Sequence, residues 1–303
     1  MWFKNLQLYR FTRPFELDAD ALEKLLEGMA FTPCGSQDIS KFGWTTPLGK
    51  GTAALVHEAA GQLLLCARKE EKMLPSSVVK EMLDEKVETL EAEQGRGLKK
   101  KEKEALKEEI MHTLLPRAFS RTSQTFAWIS PADKLMVVDA GSAKKADDLL
   151  ALLRKSIGTL PVVPVALKNP PEITMTEWLN EGNLPASFTL EDEAELRSAM
   201  EHGGIIRCKQ QDLMSEEIKN HLANDKLVTK LALNWGETLS FVLGDDLSIK
   251  RLKFSEELRE QNDDVTSEDP AARLDADFAL VTAELAQFIP ALFAALGGEE
   301  QSI

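Results

Sequence analysis

The stretch nearest to a phosphate-cradling loop is GWTTPLGKGT, residues 43–52, and its spacing is wrong for that chemistry. Five residues separate Gly43 from Gly49, and Gly51 stands where a magnesium-binding Ser or Thr belongs. No GxGxxG follows a strand-like run and no GxSxG nucleophile elbow occurs. His57 opens HEAAG without the second His of a zinc-protease helix, and His112, His202 and His221 are isolated. Cys34, Cys66 and Cys208 form no CxxC pair, so neither a zinc site nor a disulfide framework is expected, and a reducing compartment fits. These observations predict no catalytic residues, no metal and no cofactor.

The chemistry that remains is electrostatic. The 303 residues carry a net charge of −14, which on average repels nucleic acid and anionic membranes. Residues 96–155 depart from that average with thirteen basic side chains against eight acidic ones, a local +5, leaving −19 on the remainder. Residues 255–303 form the acidic extreme, with twelve carboxylates against Arg259 and Arg273. Such polarity suits a polyanion-binding surface on a self-repelling body. A solvated helix face is the competing reading of the Lys-rich run, because Glu102 and Glu104 interleave Lys99, Lys100, Lys101, Lys103 and Lys107. No run approaches the ~18 apolar residues of a membrane span, and MWFKNLQLYRF has no signal-peptide core. A cytoplasmic protein with no membrane partner is expected.

The elements that must position these charges follow from periodicity. Residues 2–11 alternate as a strand, and a helix capped by Asp18 or Asp20 carries Leu22, Leu25, Leu26 and Met29. Residues 61–67 read as a buried strand. Two polar helices, 78–94 and 98–115, separated by Gly95 and Gly97, predict a hairpin too poorly apolar to join a core, hence projecting. Short strands lie within 126–139, and a helix runs over 143–157. Beyond the proline-rich 160–171, helices are expected at 177–181 and 191–203, then an antiparallel meander at 227–233, 238–243 and 248–254. A long helix over 272–296, with Pro290 inside, closes the chain.

The fold class is α+β with antiparallel sheets. Residues 1–75 with 120–165 form a central α+β domain and 76–119 a helical tip; 166–270 form a second α+β domain, the base, and 271–303 a helix packed on the body.

Six segments resemble the RdgC family of bacterial recombination-associated proteins. They are MAFTPCGSQD (29–38), CARKEEKMLP (66–75), LLPRAFSR (114–121), SAKKADDLLALLRKSIGTLPVVP (142–164), GGIIRCKQQDLMSEEI (203–218) and RLKFSEELREQND (251–263). They run in order from end to end. The resemblance implies a horseshoe subunit that pairs into a ring homodimer and holds duplex DNA without sequence preference in a basic hole. It also implies opposition to the recombinase RecA, a nucleoid location and no catalysis. It leaves single-strand binding open. By motif position Phe119 corresponds to a dimer-closing aromatic, with an ordinary core Phe as the alternative. Lys209 precedes Gln210 where the family carries a second basic residue.

A sequence-blind binder needs phosphate contacts only. The leading candidates for the lining are Lys99, Lys100, Lys101, Lys103, Arg117, Arg121, Lys144 and Lys145. Arg207, Lys209, Lys226, Lys230, Lys250, Arg251 and Lys253 form a second rank. An adaptor that binds recombination or replication proteins through the helical tip, without DNA, is the alternative.

Overall fold

The computed structural model describes residues 1–49, 52–200, 203–262 and 270–300. Lys50, Gly51, His202 and most of the boundary expected near residue 270 lie outside them. The first part of the chain builds β1 (Gln7–Phe11), α1 (Ala19–Glu27), β2 (Ser40–Thr45), β3 (Val56–Ala59) and β4 (Gln62–Lys72). It continues with α2 (Ser76–Gln94), α3 (Lys100–Leu114), β5 (Ser120–Ser130), β6 (Leu135–Val138), α4 (Ala143–Ile157) and β7 (Val162–Pro164). Its strands form one antiparallel sheet in the order β2-β4-β5-β6-β1-β7, with β3 beside β2 on the same edge of β4. One face of this sheet, through Tyr9, Phe11, Leu65, Ile129 and Val138, packs on Leu22 and Leu26 of α1 and Leu149 and Leu153 of α4.

The second part builds α5 (Pro171–Glu181), β8 (Phe188–Ser198), β9 (Ile205–Lys209), α6 (Glu216–Ala223) and β10 (Lys226–Trp235). β11 (Leu239–Gly244), β12 (Ile249–Phe254), α7 (Glu256–Glu260) and α8 (Pro270–Ala295) follow. The sheet order is β12-β11-β10-β8-β9, again antiparallel. A single core joins the far face of the first sheet (Leu8, Leu64, Trp128, Val137), the stripe of α8 (Phe278, Val281, Leu285, Phe288, Leu292) and the apolar face of the second sheet (Leu196, Leu231, Leu233, Phe241, Leu243).

Several expectations change. The helix expected over 191–203 does not form in its described residues up to 200: β8 covers 188–198 because Phe188, Leu190, Ala194 and Leu196 pair into the apolar face while Glu193, Glu195 and Arg197 point away. Strong helix formers in that segment yield to tertiary pairing on both sides. β9 is a further strand that periodicity missed.

The expected strand 2–11 divides. Residues 7–11 join the first sheet, whereas Leu6 exchanges hydrogen bonds with Ile249 at 2.8 and 3.1 Å and Leu252 N donates to Lys4 O at 2.8 Å. The N-terminal segment thereby ties the two sheets together. Residues 271–295 are long and apolar enough to cross a membrane, contrary to the sequence reading, which discounted the stretch. Their apolar stripe is consumed by the core.

α2 and α3 pack on each other as the hairpin expected, turning at Gly95 with φ +65°. They bury only Val79 and Ile110.

Gly43 finds its explanation here. A Cβ on it would sit 2.7 Å from Phe31 Cα and 2.8 Å from Met29 O, where residues 29–31 cross β2. Phe31 N donates to Trp44 O at 2.7 Å and Trp44 N to Met29 O at 2.9 Å. Gly43→Ala therefore forces backbone apart, and denaturant titration should show a loss of ~1–3 kcal/mol, as for an overpacked core; an unchanged midpoint contradicts this account.

Candidate nucleic-acid interface

Because the apolar face of the second sheet is turned to α8, its other face is open. Strand alternation places Glu193, Glu195 and Arg197 of β8 there, opposite Lys209 and Arg207 of β9 and Lys230 of β10. β12 adds Lys250 opposite Val242 and Lys253 opposite Ser240. Between them the ladder slips, and Arg251 adopts φ +53°. The bulge re-aims the strand so that Arg251 also joins the open face. It reaches across the sheet to Glu193, with Nη1 donating to Oε2 at 2.9 Å. Ala232 and Val242 on this face are buried, which the aliphatic stems of the surrounding Lys and Arg can accomplish.

Glu195 is the electrostatic centre. Its side chain is 7% exposed, Arg207 Nε donates to it at 2.9 Å and Lys230 Nζ at 3.0 Å, and Arg197 lies 3.9 Å away. Arg207 foremost, with Lys230, holds its carboxyl below the ordinary carboxylate range against the opposing effect of burial. Lys209 approaches Glu193 at 3.9 Å. Lys250 and Lys253 make no ion pair among the described residues.

The structure thus brings together six of the seven second-rank cations. Lys226 is the exception. It pairs with Ser198, in phase with Val228 and Leu196, and so belongs to the opposite face. Arg197 belongs to the cluster and escaped the sequence reading because its segment was expected to be helical; the alternation Glu193, Glu195, Arg197 was the available signal.

The leading candidates do not converge on one place. On the β4–β5 arm Arg121 pairs with Glu71 and Lys69, outside the candidate set, with Ser123; Lys69 and Ser123 lie beside the start of α4, where Ser142 Oγ caps Lys145 N at 3.4 Å. Lys145 Nζ donates to Gln124 O at 3.3 Å, and Lys69, Ser123, Thr125, Lys144 and Lys145 line a common depression. Lys69 also holds Glu71 at 2.5 Å.

Lys99, Lys100, Lys101 and Lys103 are elsewhere, at the far end of the hairpin. Helical rise puts that end ~28 Å along α2 from its start. Lys103 pairs with Glu91 at 3.2 Å and Lys100 with Glu104 at 3.9 Å. Glu102 accepts from Arg96 and from Lys99 N, which lowers its carboxyl pKa to about 2. The run is therefore neutralised in part, since Lys99 and Lys101 make no ion pair among the described residues.

Arg117 ends a single 3-10 turn, Leu115–Arg117, and is exposed. Phe119, two residues on, is 81% exposed and is not a core residue. Met73 N donates to Phe119 O at 2.7 Å on the β5 side of the chain and Lys72 N to Ile39 O at 2.8 Å on the β2 side, which sets Phe119 beside Met73, itself half exposed.

With this geometry in view, the comparisons with known proteins are informative. A family model bearing the description "Putative exonuclease, RdgC" matches residues 1–299. The chain is 89% identical over 303 residues to the recombination-associated protein RdgC of Aeromonas hydrophila, covering 100% of both chains. It is 74% identical to that of Tolumonas auensis and 61% to that of Psychromonas ingrahamii, each over 300 residues and 99% of both chains. The chain belongs to the RdgC family. The names of these RdgC relatives refer to recombination and to no enzymatic activity, whereas the family description carries the word exonuclease. Among the described residues no three His, Cys, Asp or Glu side chains gather as a metal site.

Depression of the Glu195 pKa has a consequence for this RdgC chain. Its stabilising share is present above the ordinary carboxylate pKa of ~4.3 and is lost as pH falls through the lower folded value. Glu195→Gln should therefore flatten the acid limb of a stability-versus-pH curve; an acid limb identical to wild type contradicts the charge network.

Proposed function

We propose that the protein binds DNA without sequence preference, encircles duplex as a ring homodimer of horseshoe subunits and opposes RecA-mediated recombination at the nucleoid of the cytoplasm. The observation that carries this reading is the open face of the second sheet. Arg197, Arg207, Lys209, Lys230, Lys250, Arg251 and Lys253 converge there on a chain whose net charge is −14. A broad array of Lys and Arg on strands, with no recognition helix, suits phosphate contact and not base readout. Lys69, Lys144 and Lys145 at the α4 terminus offer a second contact of the same kind, assisted by the helix dipole.

Ring closure rests on the apolar corner. Phe119, 81% exposed beside the half-exposed Met73, is the most exposed large apolar side chain among the described residues. A second copy is the occupant we assign, consistent with the dimer-closing position that the motif PRAFSR gives Phe119. No catalytic step is assigned to any residue.

Two experiments test the reading. Lys250→Ala and Lys253→Ala should each flatten the plot of log duplex affinity against log salt by ~0.9 per protomer engaged and relieve inhibition of RecA strand exchange. An unchanged slope removes the open face from the interface. Inhibition that persists in variants unable to bind DNA transfers the function to the helical tip as a protein adaptor. Phe119→Ala should release closed circular duplex in high salt while binding short linear duplex normally; circular retention equal to wild type removes the ring-closing role. Labelled duplex incubated with magnesium or manganese should remain intact, and cleavage products restore the exonuclease reading.

A further inference from the structure

A groove of about 820 Å³ lies where the N-terminal segment runs along β12, lined among others by Trp2, Lys4, Asn5, Arg251, Lys253 and Arg259. Its volume falls within the ~300–1,000 Å³ of small-ligand sites. Trp2 is half-buried, its ring tilted by 59° against Phe254 with centroids 4.9 Å apart, and the Arg259 guanidinium stands over the ring, 5.7 Å from its centre. These two neighbours fix the indole. Lys4, Lys253 and Arg259 form no ion pair among the described residues, unlike Arg207, Lys209, Lys230 and Arg251 on the adjoining face. Glu237 and Glu256 also line the groove, so it retains a net positive charge.

An indole held in place beside uncommitted cations matches a ligand that joins a flat π-face to a phosphate. Bases inside a duplex have both faces stacked, and only an unpaired base presents one. Ser240, Arg251 and Lys253 line both this groove and a depression on the open face of the second sheet. A backbone following that face is therefore delivered to the groove's mouth.

We infer that the Trp2 groove is a stacking site for one unpaired base of single-stranded DNA, its flanking phosphates held by Lys4, Lys253 and Arg259. The inference rests on the reading of the open face as a DNA surface. Base stacking on the indole adds affinity for single strands that duplex cannot gain.

The test uses the full-length protein and an oligothymidylate carrying a single 2-aminopurine. Binding should quench the 2-aminopurine. Trp2→Leu, which keeps the apolar packing and removes the ring, should weaken single-strand binding roughly tenfold and leave duplex affinity unchanged, and Trp2→Phe should restore most of the loss. Binding without quenching overturns the inference, as does single-strand affinity unaltered in Trp2→Leu, or a parallel fall in duplex affinity. Should Trp2→Leu fail to fold, the wild-type quenching decides. Thymidine monophosphate binding as tightly as the strand assigns the groove to free nucleotide instead. Absence of duplex binding by wild type defeats the proposed function alone, since the single-strand comparison is still readable.

Discussion

Burying α8 between two sheets decides which face of each sheet is left to water. Its stripe of Phe278, Val281, Leu285, Phe288 and Leu292 is fully removed from solvent, and each such side chain contributes about 1.5–3 kcal/mol. The stripe must be met by apolar faces on both sides. The first sheet supplies Leu8, Leu64, Trp128 and Val137, and the second supplies Leu231, Leu233, Phe241 and Leu243. Apart from the bulges in the β8–β10 and β11–β12 pairings, period-two alternation then sends the intervening residues of β8, β10, β11 and β12 to the far side. The convergence of cations on that side is a consequence of core burial, and a one-residue slip of any strand would bury the charges and expose the core.

Seven cations on one small sheet face repel one another. Glu193 and Glu195 answer that repulsion from within, each accepting from or lying near more than one cation. The partners are 43–69% exposed at Glu195, so the pairs are screened and each is worth ~0–1 kcal/mol at most. What the carboxylates supply is orientation. Arg207 and Lys230 are held to Glu195 at 2.9 and 3.0 Å, while Lys250 and Lys253 make no ion pair among the described residues. The acidic remainder of the chain gives the contrast, because a polyanion meets attraction at the open face and repulsion at most other approaches.

How much of this was legible in the sequence depended on how local each element is. α4 begins and ends where its periodicity and its Ser142 cap place it, and the meander, the hairpin and the final helix stand close to their expected ranges. Their signals lie within a dozen residues or so. β8 was illegible because LEDEAELRS is rich in helix formers and becomes a strand through partners about 12 and 35 residues away in the pairs Glu195 with Arg207 and Lys230. The split of residues 2–11 between two sheets was hidden for the same reason, since β12 is some 240 residues distant in sequence. The need for Gly43 was hidden in a related way. Its spacing already excluded a phosphate loop, and its constraint is the backbone of residues 29–31 passing within 3 Å.

The same locality explains the ranking of candidate cations. A run such as Lys99 to Lys103 is conspicuous because its members are adjacent, but a helix supplies acidic neighbours at short spacing just as readily, and Glu91, Glu102 and Glu104 answer it. Pairs of this kind are worth only ~0.3–0.5 kcal/mol, yet they offset part of the far field of an exposed tip. Cations separated in sequence escape such cancellation when strands bring them together with fewer carboxylates. Arg207, Lys230 and Lys253 are unremarkable one at a time, and on the sheet they share a surface whose two central acids are already committed. Charge density that matters to a polyanion is set across strands, at ~4.8 Å per strand, and that dimension is absent from any count along the chain.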